Sequence, residues 1–102
     1  MNIEWWEDAK NDLDLIYEYI AMQDEQLAAK IYNRNLDEVN KLTLYATIFA
    51  VEPLIESTEY CFRSLVALKG RYKIIYFVDG KRVIITHIWV CRKNPESIRQ
   101  LH

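Results

Sequence analysis

Residues 70–95 read GRYKIIYFVDGKRVIITHIWVCRKNP, and this stretch decides the fold. It contains two runs rich in β-branched and aromatic residues, Tyr72–Val78 and Val83–Val90, separated by Asp79-Gly80. Asp-Gly between two apolar runs is a strong signal for a tight two-residue hairpin, because glycine adopts the positive φ that such turns require. The stretch therefore predicts two antiparallel strands.

Upstream of this hairpin the chain changes character once, near Pro53. Tyr60–Val66 has the same strand-like composition, and Lys69-Gly70 separates it from the next run, so a three-stranded meander is predicted. Before Pro53 the apolar residues recur in steps of three and four, which is the period of a helix packed on one face.

Two helices follow from this period. The first begins at Glu7, and the second begins after Asp24, a candidate N-cap, and extends towards Ile48. The apolar face of the first comprises Ala9, Leu13, Ile16, Tyr17 and Ile20. That of the second comprises Ala28, Ile31, Tyr32, Val39 and Leu42. Because the link between them is short, the two helices should form an antiparallel hairpin with one shared apolar face.

The ends of the chain complete the predicted architecture. Ile3–Trp6 is a short apolar stretch that fits an edge strand, and residues 94–101 fit a short helix with Pro95 in its first turn. The predicted fold is α+β, of order β-α-α-β-β-β with a short C-terminal helix. In it the N-terminal helical hairpin packs on a small, mainly antiparallel sheet. With 102 residues, 51% of them hydrophobic, and only two glycines and two prolines, residues 1–102 should form one domain.

Composition excludes several classes of protein. There is no apolar run of the length that a membrane span needs, and the N-terminus has neither the basic start nor the apolar stretch of a secretory signal. Cys61 and Cys91 have neither a CxxC spacing nor neighbouring histidines, so we expect reduced thiols in a cytoplasmic protein, with no metal site. No glycine-rich phosphate loop or other cofactor motif is present, and no cofactor is expected.

Charge is divided unevenly along the chain. Residues 1–59 hold four basic and thirteen acidic residues (−9), whereas residues 60–102 hold nine basic and two acidic residues (+7). This asymmetry indicates either that the second half faces an anionic partner, such as nucleic acid or an acidic protein, or that two charged faces attract each other within the fold.

Strand alternation sorts the candidate site residues. In Tyr72–Val78, Lys73 alternates with the apolar residues that look like core, so it should lie on the open face of the sheet. Arg63 and either Arg92 or Lys93 could converge with it across the meander. Such a cluster of cations can hold a phosphate and offset the charge that builds on it during strand cleavage. His87 is either a general acid or base or, as we prefer, a hydrogen-bonded structural residue.

The order of these features resembles a known family. The first helix contains Ala9-x-x-x-Leu13-x-x-Ile16-x-x-Tyr19-Ile20, a later strand contains Arg63-Ser64-Leu65, and Gly70-Arg71-Tyr72-Lys73-Ile74-Ile75-Tyr76 follows. The last strand closes on Arg92-Lys93-Asn94-Pro95. Across almost its whole length the chain is similar to the RelE/ParE superfamily of toxins from bacterial type II toxin–antitoxin (plasmid stabilisation) systems.

The resemblance implies a growth-inhibiting toxin that a cognate antitoxin silences by wrapping an extended segment around its basic face. RelE-like members cut messenger RNA in the ribosomal A site with basic side chains and often a late tyrosine or histidine. ParE-like members poison DNA gyrase and lack those groups. In the RelE-like case the residues carried over as catalytic are Arg63, Lys73, Arg92 and Lys93. Those assigned to substrate binding are Lys69, Arg71 and His87.

Three hypotheses about function follow. The several basic residues on one predicted face favour a metal-independent endoribonuclease, or mRNA interferase, whose partners are the ribosome and mRNA. Residues 93–102 contain no tyrosine, which keeps open the alternative of a ParE-like gyrase poison. The third hypothesis is a non-catalytic module, a decayed toxin that only binds its antitoxin.

Overall fold

The computed structural model describes residues 1–57 and 59–91. The elements in chain order are β1 (Asn2–Trp5), α1 (Glu7–Ala21), α2 (Glu25–Asn40), α3 (Leu42–Tyr45), β2 (Arg63–Ala67), β3 (Tyr72–Asp79) and β4 (Arg82–Val90). They form a four-stranded sheet of order β1-β4-β3-β2, in which β1 is parallel to β4 and the other pairs are antiparallel. The predicted α+β class and element order are confirmed, and the sheet is mixed because β1 runs parallel to its neighbour.

Helix α1 lies on the sheet through its apolar face. Ala9, Leu13 and Ile16 are buried there, as the helical period predicted, whereas Tyr17, predicted on the same face, is 36% exposed. The helix is also held by a polar contact, because Asp12 Oδ2 accepts a hydrogen bond of 2.9 Å from the backbone N–H of Ile88 in β4. One carboxylate therefore fixes the helix to β4, beyond the last residue that pairs with β1.

Replacing Asp12 with alanine should lower the free energy of unfolding by about 1.5–3 kcal/mol, the range for a hydrogen bond to a charged group. The matched control is Asp14→Ala, which changes an exposed aspartate of the same helix and should shift stability by less than about 0.5 kcal/mol. Urea denaturation of both variants tests this. Equal effects of the two substitutions would show that the Asp12–Ile88 contact contributes nothing.

Helix α2 starts as predicted and ends earlier than predicted. The Asp24 side chain accepts a hydrogen bond of 3.0 Å from the Leu27 N–H, which confirms it as the N-cap. The helix ends at Asn40, and the one-turn helix α3 carries the chain on to Tyr45. The expected continuation to Ile48 is therefore wrong: two hydrogen-bonded segments separated at Lys41 replace one long helix.

Asn35 is a polar residue inside the core face of α2. It is fully buried, its Nδ2 donates to the Ile31 carbonyl oxygen at 3.1 Å, and its Oδ1 has no hydrogen-bond partner among the described residues. A buried acceptor without a donor costs about 1–3 kcal/mol. The residue therefore lowers the stability of the folded chain.

Asn35→Leu is accordingly expected to raise the free energy of unfolding by about 1 kcal/mol or more, because it replaces the unsatisfied carbonyl with apolar volume. Asn33→Leu, at an exposed position of the same helix, reports the gain from helix propensity alone. Thermal unfolding of the two variants side by side separates these effects. A gain at position 35 no larger than that at position 33 would refute the explanation.

The central hairpin forms at the position predicted from the sequence. Asp79 pairs with Arg82, so Gly80 and Lys81 are the two loop residues, and Gly80 has a φ of +62°. The turn between β2 and β3 contains three residues with positive φ, namely Leu68, Lys69 and Gly70. The predicted three-stranded meander is confirmed.

A register shift between Ile75 and Tyr76 disturbs the alternation of β4. Ile75 pairs with His87 and Tyr76 pairs with Ile85, which leaves Thr86 as the extra residue of a bulge. Ile85 and Ile88 therefore both belong to the core beneath the helices. Ile84 and Ile88 consequently lie on opposite faces of the sheet, whereas strict alternation along β4 would place them on the same face.

The segment before β2 also differs from the prediction. The strand begins at Arg63, whereas Tyr60–Phe62 were expected to belong to it. The chain at 50–52 runs antiparallel to residues 62–64, with an isolated bridge between Val51 and Arg63.

The predicted helix over residues 94–101 lies outside the described residues. None of the described helices is both long and apolar enough to span a membrane.

Candidate functional site

The sheet has one face against the helices and one face without them. Directly paired residues of neighbouring strands point to the same side, so the register assigns each side chain to a face. The helix-free face consists of Ser64, Val66, Lys73, Ile75, Phe77, Ile84, His87 and Trp89. This is the face on which the sequence placed Lys73, and that placement is confirmed.

The helix-free face is more covered than expected. Ile75 is fully buried and Phe77 is 5% exposed. Tyr60 stacks on Phe77 with ring centroids 4.2 Å apart, and Phe62 meets the same ring edge-on at 5.7 Å. The segment that precedes β2 thus packs across this face, and the face is not open in the sense that the sequence predicted.

Lys73 already has a partner. Its Nζ lies 3.1 Å from Oε1 and 3.0 Å from Oε2 of Glu52, whose side chain is fully buried, whereas the Lys73 side chain is 25% exposed. The Leu54 N–H also donates to Glu52 Oε1 at 3.2 Å. Lys73 therefore neutralises a buried carboxylate of its own chain.

The protonation of Glu52 reflects two opposing effects. Burial raises the pKa of Glu52, but hydrogen bonds from Lys73, from the Ser64 hydroxyl and from the Leu54 N–H together bring the pKa below its ordinary value of 4.5. Glu52 is thus ionised at neutral pH, and the pair is a true ion pair.

Arg63 lies on the opposite face from Lys73. It pairs with Tyr76 and lies on the same side of β2 as Leu65 and Ala67, which are core residues. Its Nη1 donates to the carbonyl oxygen of Phe49 at 2.7 Å. The predicted convergence of Arg63 with Lys73 is therefore wrong, because three positions separate Tyr76 from Lys73 in a strand whose side chains alternate between faces.

The remaining predicted site residues are spread out. Arg92 and Lys93 lie outside the described residues. Lys69 and Arg71 are exposed in the β2–β3 turn, at the end of the sheet. His87 is on the helix-free face, where its Nδ1 lies 3.2 Å from Thr86 Oγ1 and its Nε2 lies 3.9 Å from Asp8 Oδ2. Of the described candidates, the structure brings only Lys73 and His87 onto one face.

The role of Glu52 was not predicted from the sequence. Its one distinctive feature is its position in the mostly apolar segment AVEPLI, but a glutamate is ordinarily expected to be exposed to solvent. An apolar groove of about 350 Å³, where the tip of the helical hairpin meets the end of the sheet, was not predicted either. The residues that line this groove include Leu15, Tyr19, Ile20, Leu27, Ile31, Arg71 and Val90.

Among the described residues, no three histidine, cysteine, aspartate or glutamate side chains are grouped so that they could hold a metal ion. The Cys91 thiol also differs from that of an activated cysteine. Cys61 is exposed, and burial raises the pKa of Cys91 despite the nearby Lys73 charge. No assembled catalytic constellation is present within residues 1–57 and 59–91.

Comparison with known proteins shows which family the chain belongs to. Residues 3–95 match the family model described as ParE toxin of type II toxin-antitoxin system, parDE. The chain belongs to the ParE toxin family. The resemblance to the RelE/ParE superfamily, first drawn from the sequence, is thereby confirmed.

A solved structure agrees with this membership. The chain is similar to one described as "Chromosomal ParDE TA system from P. aeruginosa", with 26% sequence identity and a TM-score of 0.74. The similarity covers 90% of this chain and 97% of the other. No curated protein matches the chain. A ParE toxin fold with its helical hairpin and mixed sheet is thus supported independently by sequence and by structure.

Proposed function

We propose that this ParE-family toxin acts on DNA gyrase and is silenced by a cognate antitoxin. The choice between gyrase and messenger RNA rests on one observation, the engagement of Lys73 by Glu52. A ribonuclease of the RelE type needs unpaired cations that converge on the scissile phosphate. Here the Lys73 charge is already balanced, and Arg63 contacts a backbone carbonyl on the other face.

This proposal reverses the preference drawn from the sequence. The ribonuclease hypothesis depended on a cluster of Arg63, Lys73 and Arg92 or Lys93, and the two described members of that cluster are separated by the sheet. ParE-like members lack the nuclease groups, which agrees with this arrangement. Family membership supplies the remaining support for a gyrase target.

The cognate antitoxin has a suitable binding surface in the apolar groove at the hairpin tip. Leu15 is 63% exposed and Leu27 is 45% exposed there. Exposed apolar surface of this kind marks a site for a protein partner. An antitoxin segment that wraps the toxin would cover this groove and shield it from water.

Induced expression of the chain alone, followed by mapping of DNA breaks and messenger RNA ends, tests the target. We expect double-strand breaks with intact messages, and inhibition of supercoiling by purified gyrase when the purified chain is added. A His87→Gln variant should keep both effects, because no step on gyrase is assigned to the imidazole. Cleavage within translated codons with intact DNA would overturn the proposal, and undisturbed growth would favour the non-catalytic module.

A further inference from the structure

The helix-free face contains a pocket that neither the gyrase proposal nor the antitoxin groove uses. It lies at the β1 edge, has a volume of about 340 Å³, and has aromatic walls from Trp6, Tyr60 and Phe77. Its rim carries Glu4, Asp79 and Arg82. We call it the aromatic pocket.

The aromatic walls are held in place. Phe77 forms the buried base, Tyr60 stacks on it at 4.2 Å, and Trp6 meets it edge-on with centroids 6.0 Å apart. Trp6 and Tyr60 nevertheless remain 40% exposed each. Because these rings are already held by their neighbours, a ligand can stack on their exposed surfaces with little further loss of side-chain conformational entropy.

The rim of the aromatic pocket is negatively charged. Arg82 Nη1 donates to Glu4 Oε2 at 2.9 Å, and Arg82 Nη2 donates to Asp79 Oδ2. Hydrogen bonds to Asp79 and the nearby charges raise the pKa of Arg82, so it stays protonated. One guanidinium set against two carboxylates leaves a net negative charge.

A third carboxylate, that of Asp8, adds to the negative charge near the pocket. Asp8 lies 3.9 Å from His87, and the His87 ring contacts Trp6 edge-on at 6.4 Å. Lys73, which also lies on this face, is paired with Glu52. This net negative charge at the pocket favours a cationic ligand over a phosphate.

We propose that the aromatic pocket binds an arginine side chain presented by a partner polypeptide. A guanidinium stacks on tryptophan and tyrosine rings through cation–π attraction. It can also share the carboxylates of Glu4 and Asp79 with Arg82, because Arg82 contacts only one oxygen of each. The pocket supplies both kinds of group within one small volume. The proposal is independent of whether gyrase is the target.

Titration of the full-length ¹⁵N-labelled chain with the tripeptide acetyl-Ala-Arg-Ala-amide tests the proposal by NMR. We expect saturable shifts of the Trp6 indole N–H, and at least about fivefold weaker binding of the citrulline tripeptide, which has the same shape without the charge. Trp6→Leu should weaken binding of the arginine tripeptide by at least about fivefold, and Glu4→Gln should weaken it in the same direction.

The matched control is Trp89→Leu, which removes a tryptophan of the same face outside the pocket and should leave the affinity unchanged. Dispersed amide spectra establish that each variant is folded. The proposal is wrong if the arginine tripeptide gives no saturable shift at tens of millimolar, if the citrulline tripeptide binds equally well, or if Trp6→Leu binds as the unmodified chain does.

Discussion

Lys73→Met is expected to lower the free energy of unfolding by about 3–5 kcal/mol, the usual effect of removing one partner from a buried ion pair. The reason is that Glu52 is fully buried and would keep its charge without a counterion. Urea denaturation at pH 7 measures the change. The prediction concerns a residue to which the resemblance to RelE-like toxins had given a catalytic role.

The two members of the pair should not respond equally. Glu52→Gln leaves behind Lys73, whose side chain is 25% exposed and can turn towards water, so its cost should be smaller than that of Lys73→Met. The double variant should be more stable than Lys73→Met alone, because it no longer carries an unpaired buried carboxylate. Strictly additive losses would show that the ion pair is not coupled.

The contribution of Glu52 to stability should depend on pH in opposite directions in the unmodified chain and in Lys73→Met. The pKa of Glu52 is below 4.5 in the folded chain, so its contribution is present above that pH and is lost as the pH falls through the folded value. In Lys73→Met the hydrogen bond and the charge that lower the pKa of Glu52 are lost while burial still raises it, so we expect a higher folded-state pKa and a smaller cost of the unpaired carboxylate as the pH falls. The deficit of Lys73→Met should therefore be smaller at pH 4 than at pH 7.

This result affects how toxin variants are interpreted. A Lys73→Ala variant that no longer inhibits growth would suggest a lost catalytic cation, whereas the ion pair predicts the same phenotype through unfolding. Arg63→Ala raises the same problem, because Arg63 holds the Phe49 carbonyl. Stability has to be measured before either residue is given a role at the target.

The parts of the fold that were predictable rest on local chemistry. Asp79-Gly80 specifies a tight turn whatever surrounds it, and Asp24 caps α2 through a hydrogen bond three residues away. The helical hairpin follows from apolar spacing within each helix. In these cases the signal and the structure that it produces lie within one turn of the chain.

The parts that failed depend on distant contacts. The bulge at Thr86 appears only when β3 and β4 are paired, and there the Thr86 hydroxyl donates to the Ile75 carbonyl at 3.2 Å. Glu52 meets Lys73 from 21 residues away. The candidate site depends on which face of the sheet each side chain occupies and on which distant residue it pairs with. Its residues could therefore be named from the sequence, but which of them lie together could not be predicted.

Tyr76→Ala should be as damaging as the loss of Lys73, at about 3–5 kcal/mol. Tyr76 is the largest fully buried side chain among the described residues and belongs to the core between sheet and helices. Its hydroxyl donates a short hydrogen bond to the carbonyl of Ala46, just after α3. Tyr76→Phe keeps the ring and removes this bond, at a cost of about 1–1.5 kcal/mol.

Alkaline pH separates the two roles of Tyr76. Burial raises the pKa of Tyr76 from 10.0 to about 12, although the Arg63 charge acts in the opposite direction. A raised folded-state pKa gives stability that is present below pH 10 and is lost as the pH rises towards 12, on the order of 2 kcal/mol for one residue. Burial also raises the pKa of Tyr72, so only the difference between the unmodified chain and Tyr76→Phe isolates Tyr76. That difference, measured by urea denaturation at pH 8 and at pH 11, should shrink at the higher pH. A constant difference would mean that the buried hydroxyl does not resist ionisation.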